Sequence, residues 1–468
     1  MNKIKCAFAA VALLHVVPPA AMAEPADKPV NILFIMTDQQ FGDAMSCAGN
    51  PYVKTPAIDG LAKRGMRFTQ SYCTGPVCSP SRSSMFTGLF PHETGVPVNG
   101  KRIRAELKEI CIEHLLAAKG YDCVYAGKWH LASGRISKAE RKQHPYRVIA
   151  GPNDARISDA CTKYLGEKHD RPFFLVASYT NPHDICLWGM GRERGLQKHP
   201  VPEVPLEQCP PLPANYAVPG DEPSVLRDFY MARHVEQKSF NDEKWRHYLH
   251  AYYWMIEVVD AEIGRLLDAL RANGLEENTL VVFTSDHGDG MAAHQWLGKC
   301  THYEEATRVP FIVSLPGVIE PGRVDRTHFI SNGPDFYATA LDYADVAIPG
   351  NCRGRSVRCL LEGTACAQPW RDQVVADIWV PGGDDPKAGE KWKSAWGRML
   401  RTERFKYAIY DRGTHREQLF DLQNDRDEMH NLAADPKYRD VLTEHRRRLA
   451  AWCEKTNDTE FIPRLVSP

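Results

Sequence analysis

The segment Val30-Asn31-Ile32-Leu33-Phe34-Ile35-Met36-Thr37 is a short apolar run that stops at Asp38-Gln39. A run of this length without regular polar alternation suits a strand covered on both faces, as in a parallel sheet. Similar runs span Phe173 to Ser178, Leu280 to Thr284 and Phe311 to Leu315. Two of these also end in polar clusters, Asn181-Pro182-His183-Asp184 and Ser285-Asp286-His287-Gly288. In open α/β sheets ligands bind beyond the carboxyl ends of the strands, so the repetition is more informative than any single cluster.

Helical patterns alternate with these runs. Ala57 to Lys63 places Ile58 and Leu61 on one face with Gly65 beyond its end, and Ile110 to Lys119 stops before Gly120. The longest extends from about Glu243 to Ala272, with Met255, Ile256, Val259, Ile263, Leu266, Leu267 and Leu270 at helical spacing and Gly274 as its stop. The alternation predicts a large α/β domain: a doubly wound, mixed and mainly parallel sheet flanked by helices. Eight prolines between His199 and Pro223 interrupt any regular element and predict a long surface loop that shapes access to the site. After Gly363 the runs shorten, as in Trp396 to Leu400 and Phe405 to Tyr410, and an amphipathic stretch follows from Lys437 to Trp452. We therefore expect a large domain over residues 24–363 and a smaller α+β subdomain, an antiparallel sheet plus helix, over 364–468.

Residues 1–23 read as a cleavable secretory signal: Lys3 and Lys5, an apolar run from Cys6 to about Val17, then Ala21-Met22-Ala23 before Glu24. Cleavage after Ala23 would send the mature chain out of the cytoplasm, secreted or periplasmic. No later run approaches the roughly 20 apolar residues of a membrane-spanning helix. With 58 basic and 59 acidic residues the chain carries no basic footprint for nucleic acid, so an anionic ligand requires a local positive site. Fourteen cysteines are compatible with disulfides in an oxidising compartment, although sequence does not assign their pairing, and no CxxC pair indicates a cysteine zinc site.

Cys78 lies in Cys73-Thr-Gly-Pro-Val-Cys78-Ser-Pro-Ser-Arg82-Ser-Ser-Met-Phe-Thr87-Gly88, with Pro80 suited to open a helix and Arg82 one turn on. A nucleophile at a helix N-terminus meets positive potential, which favours an anionic oxygen or thiolate and the binding of a tetrahedral anion. The stretch Cys78-Ser-Pro-Ser-Arg82 followed by Thr87-Gly88 resembles the signature of the type I, formylglycine-dependent sulfatases of the alkaline-phosphatase-like superfamily. Asn31-Ile-Leu-Phe-Ile-Met-Thr-Asp38, Gly127-Lys128-Trp129-His130 and Leu419-Phe-Asp-Leu-Gln-Asn-Asp extend the resemblance, in order, over most of the mature chain. It implies that Cys78 is oxidised to 3-oxoalanine (formylglycine) by a formylglycine-generating or anaerobic sulfatase-maturating enzyme, and that the aldehyde hydrate supplies the nucleophilic hydroxyl.

Asp38-Gln39 and Asp286-His287 follow two expected neighbouring strands and together offer carboxylate, amide and imidazole ligands to one divalent ion, with Cys78 beside them. Oxygen-rich ligation suits Ca²⁺, and the imidazole would also accept Mn²⁺ or Mg²⁺. Many sulfatases have Asp where Gln39 stands and Asn where His287 stands, so this set is a variant. By the same resemblance Lys128 binds the formylglycine or sulfate, His130 hydrogen-bonds the second hydroxyl of the hydrate, Arg82 braces it, and His183 and Lys299 serve the sulfate and the leaving group. Lys128 and His130, two apart, would point the same way if extended. His294 and Asp184 are candidate substrate contacts, as is Gln295. The expected reaction is hydrolysis of sulfate esters, exo-acting on sulfated carbohydrates such as mucin O-glycans or glycosaminoglycan fragments. The alternatives are a phosphonate or phosphate ester hydrolase of the same superfamily, or a catalytically silent glycan-binding protein should Cys78 stay unmodified.

Overall fold

The computed structural model describes residues 29–131, 136–137, 140–191, 200–233, 240–385 and 390–467; the expected signal segment lies outside them. The large sheet has eight strands, in chain order β1 (Asn31–Asp38), β2 (Met66–Phe68), β3 (Asp122–Gly127), β4 (Arg147–Ala150), β5 (Phe173–Pro182), β6 (Thr279–Ser285), β7 (Phe311–Ser314) and β8 (Arg323–Asp325). Across the sheet they lie in the order β4-β3-β5-β1-β6-β7-β2-β8. The first five in that order run parallel, whereas β7 pairs antiparallel with both β6 and β2. The expected mixed, mainly parallel sheet is the one observed.

Strand β1 shows why the apolar run is continuous. Ile32, Phe34 and Met36 enter one core, where Phe34 stacks on Phe336 with ring centroids 3.7 Å apart, while Leu33 and Ile35 enter the opposite core. Both faces are dry, so neither phase of the strand's two-residue period needs to be polar. Phe336 belongs to a helix over Asn332–Tyr343. The long helix α1 (Asp242–Ala272) covers the other face with Val259, Ile263 and Leu266; its N-terminus is capped by Asn241, whose side chain accepts from the Lys244 N–H.

The C-terminal region forms a four-stranded antiparallel sheet from Gln373–Val380, Ala395–Thr402, Phe405–Tyr410 and Glu417–Asp421, ordered as in the chain. Helix α2 (Arg439–Lys455) covers one face with Leu442, Leu449 and Cys453 against Val375, Leu400, Tyr407, Ile409 and Leu419. Between 200 and 223 the described chain holds only a short 3-10 turn, Leu206–Gln208, as the prolines require. Among the described residues one disulfide forms, Cys359–Cys366, and eleven cysteines remain free. Most of those are buried, where a thiol packs as a small apolar group. Among the described residues no helix is long and apolar enough to cross a membrane.

Candidate active site

Four neighbouring strands of the large sheet end at one place. β1 delivers Asp38 and Gln39, β6 delivers Asp286 and His287, β5 leads to His183, and β3 leads to Lys128. Gly127 lets β3 approach β5 here, since a Cβ at that position would lie 1.9 Å from the Ser178 carbonyl oxygen, and its φ of +116 favours glycine. Cys78 opens a helix over Cys78–Thr87 in which every residue is buried. Pro80 is the third residue of that helix rather than its opener; it still falls in the first turn, where a missing N–H costs little.

Arg82, fully buried one turn along, ties the strand ends together. Its Nε donates to Asp286 Oδ2 (2.8 Å), Nη2 to Asp38 Oδ2 (2.8 Å), and Nη1 to the Lys128 carbonyl oxygen (2.6 Å) and Ser178 Oγ (2.9 Å). Four of its five N–H donors are thus used on the frame, which braces the two carboxylates. Lys128 Nζ also pairs with Asp38 Oδ2 (2.7 Å), which leaves Oδ1 facing Cys78 Sγ at 3.7 Å. Burial opposes ionisation of Asp38, yet Lys128, His183, Arg82 and Lys299 hold its carboxyl well below the usual range.

Around Cys78 Sγ lie His287 Nε2 (3.2 Å) and Lys299 Nζ (3.0 Å). The Lys299 ammonium also reaches Gln39 Oε1 (3.0 Å) and His287 Nε2 (3.2 Å), so three donor atoms converge on one cationic point. Asp38, Cys78, Asp286 and His287 offer ligand atoms all within 4.8 Å of one another. Two carboxylates, an imidazole and the Gln39 amide oxygen beside them have the chemistry and closeness to hold a divalent cation. Although burial and Asp38 push the Cys78 thiol up, Lys299, Lys128 and His287 prevail and bring it well below its ordinary value.

Gln39 has φ 73, in the left-handed region that a residue with a side chain seldom adopts. Several contacts hold the strain: its N–H donates to Asp286 Oδ1 (3.1 Å), its carbonyl accepts from Tyr252 Oη (2.7 Å), and its Nε2 donates to Asp289 Oδ2 (2.7 Å) and lies 3.4 Å from Cys186 Sγ. Asp289, Tyr252 and Ser178 were absent from the sequence-based set. Asp289 stands three residues after Asp286, which is the only signal a sequence reader had.

His183 lies at the mouth, 28% exposed, with Nε2 4.0 Å from Asp38 Oδ1. Burial and then Lys299 lower it to about 4, so its imidazole is neutral at neutral pH. Asp184 follows on the rim, raised to about 6 by burial and by Asp154. His130 is not extended: its φ is 53, so the alternation argument linking it to Lys128 does not hold. What anchors it is the Ser79 hydroxyl, which donates to its carbonyl oxygen, and the neighbouring Trp129, buried against Phe86, Tyr125 and Tyr146. The structure does not bring His294 to this centre. Its backbone lies at φ 52, and its fully buried ring stacks on Tyr303 with centroids 3.9 Å apart. Gln295 is likewise left-handed, at φ 54.

The family model described as Sulfatase matches residues 30–346, and that described as N-sulphoglucosamine sulphohydrolase, C-terminal, matches residues 292–455. The chain belongs to the sulfatase family, and it is accordingly a sulfuric ester hydrolase. It is 30% identical to a Delta 4,5-hexuronate-2-O-sulfatase of Bacteroides thetaiotaomicron, over 94% of this chain and 91% of that protein. A solved 2-O GAG sulfatase superposes with a TM-score of 0.80 at 26% identity, covering 94% of this chain and 95% of that one. The phosphonate monoester hydrolase of Agrobacterium radiobacter shares the fold, with a TM-score of 0.75 at 23% identity over 91% of this chain and 96% of that one.

Proposed function

We propose that the chain is an exo-acting carbohydrate sulfatase that uses a formylglycine at position 78 and a divalent cation held by Asp38, Gln39, Asp286 and His287. The observation that carries this reading is the convergence of Cys78 Sγ, Gln39 Oε1 and His287 Nε2 on one cationic point, at the ends of neighbouring strands. The relatives named for hexuronate 2-O-sulfate and for N-acetylglucosamine-6-O-sulfate support a sulfated sugar as substrate. Cys78 is fully buried while His183 stays partly open, which supports entry of a terminal sulfate through a narrow mouth. We read residues 24–363 as the catalytic unit and 364–468 as the subdomain that completes it; export by the segment ending at Ala23 is part of the same proposal.

The maturating enzyme would oxidise the Cys78 side chain to an aldehyde, which water converts to a geminal diol. One hydroxyl would attack sulfur as the bond from sulfur to the sugar oxygen breaks, and the Lys299 ammonium would give a proton to that oxygen, with the neutral His183 as its hydrogen-bond partner. Lys128 and Lys299 hold the sulfate charge. His130 then takes the proton of the remaining hydroxyl, the aldehyde re-forms, and sulfate departs. Arg82 acts as a positioning residue for Asp38 and Asp286, and Asp184 as a substrate contact on the rim. A divalent cation, for which the oxygen donors favour Ca²⁺ and the imidazole also admits Mn²⁺ or Mg²⁺, would polarise the sulfate oxygens and favour an ionised hydroxyl.

The test is a panel of sulfated mono- and oligosaccharides with matched phosphate and phosphonate esters, on protein whose Cys78 peptide has been weighed by mass spectrometry. We expect the aldehyde mass and turnover of sulfated sugars. Preference for the phosphorus esters would replace this reading with the phosphonate hydrolase one, and an unmodified Cys78 in a sugar-binding but inert protein would replace it with the binding-protein one.

A further inference from the structure

We propose that Asp289 is a positioning residue that decides which end of the Gln39 carboxamide faces the cation point; the inference rests on the metal site proposed above. A primary amide is nearly symmetric in shape, and only its partners determine where oxygen and nitrogen lie. At one end stands Lys299 Nζ, 3.0 Å away, which can only donate and therefore requires Oε1. At the other stands Asp289 Oδ2, 2.7 Å away, which accepts from Nε2. The carboxylate is itself pinned: its Oδ1 accepts from Tyr248 Oη (2.7 Å) and from the Met291 N–H (2.9 Å), and the residue is fully buried. Where an aspartate ligand would present an oxygen at either end, a glutamine needs a second residue to aim it.

The pinning makes the outcome of a single substitution specific. In Asp289→Asn the amide oxygen must stay where Tyr248 and Met291 donate, so its NH₂ takes the place of Oδ2 and faces Gln39 Nε2. Two donors then oppose each other, and turning the Gln39 amide only moves the clash to Lys299 Nζ, so in either orientation the Gln39 oxygen is held less well at the cation point. The complementary pair Gln39→Glu with Asp289→Asn removes the conflict, because the new amide donates to one carboxylate oxygen and leaves the other for the cation.

Calorimetric titration of the mature full-length protein with Ca²⁺, and in parallel with Mn²⁺ and Mg²⁺, tests this. We expect D289N to weaken binding about 10- to 100-fold, the usual cost of losing a group that orients a metal ligand. The melting temperature in chelator should change little, and the Q39E/D289N pair should recover affinity to within a few-fold of wild type. Wild-type affinity in D289N overturns the inference, as does equal weakness in D289N and the pair, which would make Asp289 merely structural. If wild type binds none of the three ions, the metal site itself falls, and the inference with it. Should D289N not fold, Tyr248→Phe, which unpins Oδ1 without touching Gln39, is expected to weaken binding measurably but less; unchanged affinity there overturns the inference.

Discussion

Two buried charge clusters of this molecule use the same residue types to different ends. Between the large sheet and the C-terminal sheet, Lys406 Nζ pairs with Glu428 Oε1 (2.6 Å) and Glu304 Oε1 (3.2 Å). Arg308 joins Glu304 to Asp43, and Tyr72 Oη donates to Glu304 Oε2 (3.0 Å). There Glu304 is answered by Lys406 and Arg308, and Arg308 in turn by Asp43. Despite burial, Lys406, Arg308 and Arg401 hold Glu304 down at about 2, whereas burial takes Glu428 up to about 8, with Lys406 opposing and Glu304 and Glu305 assisting. At the strand ends, by contrast, Lys299 meets a thiol, an amide oxygen and an imidazole, and Asp38 keeps one oxygen turned inward. A closed set of opposite charges clips two sheets together; a convergent set of donors holds a ligand.

The widest separation of the two clusters comes from Cys78→Ala. It should lower kcat/KM on the best sulfated sugar by about 10⁴-fold or more, as loss of a nucleophile does, while melting stays near wild type. Lys406→Met reverses the pattern: breaking a buried pair costs about 3–5 kcal/mol, read by denaturant unfolding, with kcat of the folded fraction retained. A stability loss in the first variant or an activity loss in the second would blur the distinction.

Acid should reach the structural side through His294 and His302, which burial, assisted by Lys406, lowers to about 3. A histidine with a folded value below its unfolded value of about 6.5 takes up fewer protons folded than unfolded between the two, so its contribution is complete above 6.5 and declines toward 3. Each group should cost up to about 1.4 kcal/mol per pH unit over that window, and urea midpoints from pH 7 to pH 4 would show it. No loss across this range would mean that the two rings are solvated in solution. The smallest effect is expected from Glu428→Gln, which copies the protonated acid and should shift stability at neutral pH by less than about 1 kcal/mol.

Much of the site was legible because it is built at strand ends. The apolar runs before Asp38, His183 and Asp286 locate β1, β5 and β6, and their parallel pairing leaves the three polar clusters side by side. For His294, nearness in the chain to Asp286 says nothing about direction: its backbone is left-handed and its ring stacks on Tyr303. Asp289 was missed for the converse reason, since its partners Gln39 and Tyr248 lie 250 and 41 residues away.

By itself the sequence determined the strands and helices, through the period of their apolar residues, and the chemistry available at residue 78, through the run from Cys78 to Gly88. Those properties are local, set by side-chain pattern and helix-terminus potential. Only the tertiary structure decided that Arg82 spends four donors on the frame, that Lys299 closes over Cys78, and that Asp289 aims Gln39. Each of these depends on ångström-scale distances between segments far apart in the chain, which no local pattern encodes.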